Sequence, residues 1–196
     1  MNSKEVNQLI QSRRSIFPKD FIKGEIIDQN VIQEILENAS WAPTHRFTEP
    51  WQFKVYSGNG KNTLLEKCTS VFSSLNGLEK AEAFKNKLET KLSQSSHILL
   101  ICMKRDPKES IPEWEEIASV SCAIQNLHLS LNSHNIGGYW SSPSFCSRIQ
   151  MNETFNLAKS DRCLGFFYLG KVDPNKTFKS KKPRKSLDSF TEWIED

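Results

Sequence analysis

The sequence predicts a mixed fold, several helices around a few strands, in one domain spanning residues 1–196. Three patterns carry this expectation. His97–Met103 is a continuous apolar run, consistent with a central strand buried on both faces. Residues 164–170 form a second β-prone segment, bracketed by glycines. Ile117, Val120, Ile124, Leu127 and Leu131 recur at spacings of three and four, which marks one face of a long helix. With 196 residues, 37% apolar and 25% charged, the chain is long enough to bury a real core.

Taken in order, Asn2 and Ser3 are N-cap candidates for a first helix carrying Val6, Leu9 and Ile10. That helix delivers Arg13, Arg14 and Ser15 near its C-terminal end. Two guanidinium groups and a hydroxyl make a compact donor set for a phosphate. Arginines at a helix C-terminus are also favoured by the dipole alone. Asp28 is placed to cap a second helix that buries Val31, Ile32, Ile35, Leu36 and Ala39. Pro43 stops it, because the residue before a proline is pushed away from helical angles.

Between Pro43 and Pro50 lie His45 and Arg46, with Trp41 and Trp51 close by. A rigid, aromatic, hydrogen-bonding loop suits a planar aromatic ligand. The same make-up serves a stiff, well-packed connection. Phe53 and Val55 then alternate with Lys54 and Tyr56, a strand pattern over Trp51–Tyr56. Gly60-Lys61 has the ending of a phosphate-binding loop, but Val55 stands where its first glycine belongs and Asn62 replaces the magnesium-holding hydroxyl. A nucleoside-triphosphatase is therefore rejected.

Residues 60–95 are polar and helix-prone, with a break near 73–77. They read as surface helices or as a mobile cover over a site. Pro112 opens the long helix and Gly137-Gly138 are expected to end it. Ala118, Ala123 and Leu129 broaden its apolar surface, which belongs in the core or at a subunit interface. His128 and His134 on this helix lack partners at metal-binding spacing and read as satisfied or surface histidines. In residues 138–143, Gly138 permits close backbone approach, Tyr139 and Trp140 can pack on a ring, and Ser141 and Ser142 can donate hydrogen bonds. An ordinary tight connection looks the same. Residues 171–185 are basic, and Leu187, Phe190 and Trp193 after them predict a tail that packs down.

The net charge of +3 is too mild to require a nucleic-acid partner, and the basic tail lacks the interleaved aromatics of a single-strand groove. No apolar run is long enough to span a bilayer, and the first eleven residues lack the apolar core of a secretory signal. Five scattered cysteines without a Cys-x-x-Cys read as reduced thiols in a cytoplasmic protein with no metal site. There is no Gly-x-Ser-x-Gly nucleophile elbow and no Gly-x-Gly-x-x-Gly dinucleotide fingerprint.

The order of these pieces resembles the FMN-dependent nitroreductase family over essentially the whole chain. Arg13-Arg14-Ser15 is similar to that family's phosphate motif. Trp41-Ala42-Pro43-Thr44-His45 and Glu49-Pro50-Trp51-Gln52-Phe53 are similar to its Ala-Pro-Ser/Thr and Gln/Glu-Pro-Trp-x-Phe signature. Gln125-Asn126-Leu127, residues 138–142, residues 164–170 and Arg184-Lys185-Ser186-Leu187 resemble its later blocks. Phe17 stands where many members have an arginine, Phe47 where many have asparagine, Glu49 where many have glutamine, and Ser186 where proline is usual.

The resemblance implies an α+β, nitroreductase-like fold: a central, mostly antiparallel sheet flanked by helices, in an intertwined homodimer with FMN at the subunit interface. Arg13, Arg14 and Ser15 would hold the FMN phosphate, with Lys182 and Arg184 adding positive charge. Trp41, Thr44 and His45 would approach the flavin from the partner subunit, and Trp140, Ser141 and Ser142 would line its other side. For His45, a purely structural hydrogen bond within its loop is the alternative. The helix over 115–135 would supply much of the dimer interface. The implied activity is transfer of hydride from NAD(P)H, through the flavin N5, to a small electron-poor acceptor such as a nitroaromatic or quinone. No catalytic side chain is expected, because the flavin carries the chemistry. A flavin carrier or sensor without turnover is the alternative, and residues 66–95 are where acceptor specificity is expected.

Overall fold

The computed structural model describes residues 2–176, 178 and 183–195. Lys182 lies outside the described residues. Ten regular elements follow in the order α1 (Ser3–Ser12), α2 (Gln29–Ser40), β1 (Trp51–Tyr56), α3 (Gly60–Asn76), α4 (Leu78–Gln94), β2 (His97–Met103), α5 (Glu113–Ser130), β3 (Ile136–Ser141), α6 (Ile149–Thr154) and β4 (Arg162–Lys171). The strands form one sheet of order β1-β2-β4-β3, antiparallel throughout, with Trp51 opposite Met103, Leu99 opposite Phe167 and Trp140 opposite Phe167.

The sheet is the middle of three layers. On β2, Ile98, Leu100 and Cys102 face α3 and α4 together with Phe166 and Tyr168 of β4. Leu99, Ile101 and Met103 face α2 and α5 together with Phe167 and Leu169. Both faces of β2 are buried, which is why its sequence does not alternate. Each large side chain so buried contributes about 1.5–3 kcal/mol.

Local signals behave as their chemistry requires. Asn2 and Glu5 form a reciprocal capping box at α1. Gly77, at φ +85°, separates α3 from α4. The Lys61 ammonium donates to the Leu92 carbonyl at 3.1 Å and the Ser95 carbonyl at 2.9 Å, so the Gly60-Lys61 pair closes the C-terminal end of α4.

Two expectations are corrected. The long helix does not run to Gly137-Gly138. It gives way to a 3-10 turn (Leu131–His134), and Asn135 in the left-handed region ends it. Both glycines lie inside β3, where a Cβ on Gly138 would sit 2.6 Å from the Phe167 ring and one on Gly137 2.7 Å from Phe21. They are close-packing glycines in a strand, not helix stops. The tail does not pack down either. Leu187, Phe190, Trp193 (74% exposed) and Ile194 face solvent on this chain.

Candidate functional site

Where α1 ends, Arg13 is extended (φ −55°, ψ 130°), so the next side chains leave the helix surface in different directions. Arg13 lines a cleft of about 500 Å³ with Gln11, Gln125 and Arg184. Arg14 lines a separate cleft with Ser12, His128, Asn132 and Lys176. Ser15 is exposed and lines neither. The Arg-Arg-Ser triplet is therefore divided, and Arg13 is instead brought to Arg184 from the other end of the chain. Burial and the Arg184 guanidinium beside it hold Arg13 below the usual arginine range. Among the described residues, neither arginine has a carboxylate partner. Two convergent, unneutralised guanidinium groups disfavour each other and favour an anion between them.

His128 of α5 sits behind this pair. Its Nε2–H donates to the Arg14 carbonyl at 2.9 Å, which leaves Nδ1 to accept from Arg13 Nη1 at 3.4 Å. The ring meets Phe167 edge-on at 5.2 Å. Burial first, and the Arg13 charge second, push its pKa down to about 4 against the opposing pull of the Arg14 bond. His128 is thus a satisfied neutral histidine, as read from the sequence, and it fixes the backbone of one arginine and the side chain of the other.

The second group stands at the end of β3. Trp140 is half-buried and its indole N–H donates to the Leu164 carbonyl at 3.0 Å. Trp140 and Ser142 line a smaller cleft of about 310 Å³ with Ile117, Ser121, Cys146 and Cys163. Gly165, at φ +115°, holds the backbone of Ser141 and Ser142 against β4. A Cβ there would lie 2.3 Å from the Ser141 carbonyl oxygen. The segment is a strand end, not a loop, and its shape depends on that close approach.

The Pro43 loop is held by its own polar groups. Thr44 Oγ1 accepts from the Glu49 N–H at 3.0 Å, His45 Nδ1 donates to Glu115 at 2.6 Å, and Arg46 donates to the Ser110 carbonyl at 3.1 Å. The receiving end of α5 is anchored by fully buried Glu116, which accepts from the Arg105 side chain and, at 2.9 Å, from the Asp106 N–H. Arg46, Phe47 and Glu49 all have positive φ, a strained run that these bonds maintain. Thr44 bonds within the loop and His45 ties it to α5, while Trp41 (80% exposed) and Phe47 (87%) point to solvent. None of Trp41, Thr44 and His45 lines the Arg13 cleft or the Trp140 cleft of this chain.

Residues 10–171 match the nitroreductase family. The chain belongs to that family. It is 31% identical over 191 residues, 95% of this chain and 93% of the relative, to the candidate NAD(P)H nitroreductase YfhC of Bacillus subtilis. Its fold is similar to that of a nitroreductase-like family protein from Bacillus cereus, with a TM-score of 0.85 at 23% identity over 100% of this chain and 99% of that one. It is also similar to the FMN-dependent nitroreductase NfnB from Mycobacterium smegmatis, solved in complex with NADPH, with a TM-score of 0.72 at 16% identity over 98% and 99% of the two chains.

Two site features of this nitroreductase-family oxidoreductase become apparent only in the folded chain. Gln125, which stands in the sequence only as part of a motif, shares the cleft of Arg13 and Arg184. Its signal is helical: Trp114, Ala118, Cys122 and Gln125 recur at three and four on the exposed side of α5, opposite the buried Val120, Ala123, Ile124 and Leu127. Gly165 carries a geometric demand that only its φ and the nearby Ser141 carbonyl reveal. Among the described residues, no helix is long and apolar enough to cross a membrane.

Proposed function

We propose that this nitroreductase-family chain is an FMN-dependent oxidoreductase of one domain over residues 1–196. It takes hydride from NAD(P)H and reduces a small electron-poor acceptor, such as a nitroaromatic or quinone. The observation that carries the reading is the convergence of Arg13 and Arg184 on one cleft without a carboxylate among the described residues. That donor set fits a phosphate, the anionic end of FMN. When bound, FMN supplies the hydride chemistry at its N5.

The chain's own residues bind and orient. Arg13 and Arg184 hold the phosphate, with Lys182 of the basic tail adding charge. Neutral His128 steadies Arg13 without competing for the anion and fixes the backbone at Arg14. Arg14 and Ser15 are second-rank ligands, because their side chains lie outside the Arg13 cleft. Trp140, Ser141 and Ser142 form a wall that keeps water from the ring.

The site is completed in a homodimer. Exposed Trp41 and Phe47 on the strained loop, Trp114 on α5, and the uncovered tail residues Phe190 and Trp193 support this, since such surface favours burial against a second copy. Trp41, Thr44 and His45 then serve the partner's flavin. We place the enzyme in the cytoplasm, where its five thiols stay reduced.

The test is an absorption spectrum of the purified protein, followed by anaerobic NADPH or NADH. Flavin bands that bleach support the reading, and re-oxidation by an added nitroaromatic or quinone completes it. A yellow protein that no nicotinamide bleaches is a flavin carrier or sensor. A colourless protein that takes up no FMN refutes the cofactor assignment.

A further inference from the structure

We propose that Cys163 and Cys146, side by side in the Trp140 cleft, are a peroxide-reactive dithiol: Cys163 is the thiol that peroxide oxidises, and Cys146 resolves it to a disulfide. The sequence scatters the five cysteines, but the fold gathers four of them. Cys68, Cys102, Cys146 and Cys163 are all buried in the core cluster between the sheet and α3 and α4. Two of the four, Cys146 and Cys163, also line the cleft of about 310 Å³ that holds Trp140 and Ser142. A small oxidant entering that cleft meets these two sulfurs, whereas Cys68 and Cys102, both 0% exposed, do not line it.

The two side chains are hydrogen-bonded to each other. Cys146 comes from the 3-10 turn Ser144–Ser147, which packs on β4, and Cys163 comes from β4 itself. The local backbone breaks the symmetry of the pair. Along β2 and β4, Ile101 stands opposite Gly165 and Cys102 opposite Cys163, so Leu164 is an extra residue, a β-bulge. Just past it, the Gly165 N–H donates to the Cys163 sulfur. Cys163 therefore accepts from both the Cys146 thiol and the Gly165 N–H, and Cys146 is the donor. These bonds, the Cys146 thiol foremost, hold Cys163 below the usual thiol range against the opposing effect of burial. Cys146 is pushed up, first by its bond to Cys163 and then by burial. Burial pushes Cys102 up to about 12 and Cys68 in the same direction. One thiol of the cluster is thus activated and has a thiol in contact to follow it, the arrangement of a redox-sensing cysteine with its resolving partner.

The reaction balances in two steps. The Cys163 sulfur attacks one oxygen of hydrogen peroxide, the O–O bond breaks and water leaves, giving a sulfenic acid. The Cys146 sulfur then displaces the hydroxyl: the S–S bond forms, the S–O bond breaks, and a second water carries off the Cys146 proton. The two sulfurs together lose two electrons, and the two peroxide oxygens gain them. The disulfide ties the Ser144–Ser147 turn to β4 beside Trp140, whose indole N–H rests on the Leu164 carbonyl of the same bulge. A thiol reductant reopens it, so the pair is reduced at rest in a reducing compartment and oxidised only transiently.

The test treats the full-length protein with hydrogen peroxide, removes the excess with catalase, blocks the remaining thiols with N-ethylmaleimide in denaturant, and maps the peptides by mass spectrometry without reductant. The five thiols are expected to fall by two, with Cys146 and Cys163 joined in one cross-linked peptide that dithiothreitol separates. Cys146→Ser is expected to stop at a sulfenic acid on Cys163, which dimedone labels. Cys163→Ser is expected to keep its thiols at the same peroxide dose, and Cys122→Ser, which removes the exposed thiol, to keep the cross-link. A cross-link from Cys163 to Cys102, its neighbour across the ladder, overturns the assignment. So does oxidation confined to Cys122, or recovery of Cys146 and Cys163 as free thiols. The wild-type peptide map decides the proposal even where a serine variant fails to fold.

Discussion

Replacing Arg13 by glutamine separates the cleft geometry from the motif. The Arg-Arg-Ser triplet alone makes Arg13 and Arg14 equal candidates for the phosphate. The structure turns them into different clefts and gives Arg13 a second cation, Arg184, as its companion. A charge-assisted hydrogen bond from a guanidinium contributes about 1.5–3 kcal/mol, which corresponds to a loss of about 10- to 100-fold in FMN affinity for Arg13→Gln. Arg14→Gln is expected to lose no more than about threefold, the effect of a nearby but screened charge. Titrating FMN into apoprotein, with quenching of flavin fluorescence as the signal, measures both. Arg13→Gln/Arg184→Gln, which removes the pair, should also abolish the rise in apoprotein melting temperature that inorganic phosphate gives the wild type. Full FMN affinity in Arg13→Gln, together with a large loss in Arg14→Gln, would refute the reasoning from the cleft and restore the triplet as the phosphate site.

Three further outcomes are expected. Gly165→Ala combines a disfavoured φ with a Cβ 2.3 Å from the Ser141 carbonyl, so it should cost about 2 kcal/mol or more in urea unfolding and lower flavin occupancy. His128 has its pKa pushed down to about 4, below the unfolded value of about 6.5. Its contribution is therefore present in full above pH 6.5 and lost as pH falls through 4, by about 3 kcal/mol at most. Urea midpoints measured across that window should fall more steeply in the wild type than in His128→Gln, with His97, also lowered by burial, adding in the same direction in both. Finally, Phe190→Ser/Trp193→Ser removes exposed apolar surface from the tail. It should weaken self-association in sedimentation velocity while leaving the helical circular dichroism signal in place, and an unchanged oligomer would exclude the tail from the interface.

Much of the architecture was legible because its causes are local. The Asn2–Glu5 box, the stop at Pro43, the apolar run of β2 and the three-and-four spacing on α5 each depend on residues within a few positions of one another. The family order of the motifs was legible for the same reason. Gly137-Gly138 misled because a glycine pair after a helix has the composition of a stop. The reason for those glycines lies in Phe21 and Phe167, which the sequence places far away. The site was legible as a set of residues and not as an arrangement. The end of α1 at an extended Arg13 sent Arg13 and Arg14 apart, and the fold brought Arg184 to one of them. Thr44 and His45, which a linear pattern assigned to a ligand, already hold hydrogen bonds within this chain, Thr44 to the Glu49 N–H and His45 to Glu115 of α5. The sequence by itself determined α1, α2, β1, β2, β4 and the body of α5, because propensity, capping and periodicity act over a turn or two, whereas β3 needed its packing partners. Only the tertiary structure decided which charges meet, which hydrogen bonds are already taken and which apolar surface stays uncovered, because those depend on contacts between residues that the chain holds far apart.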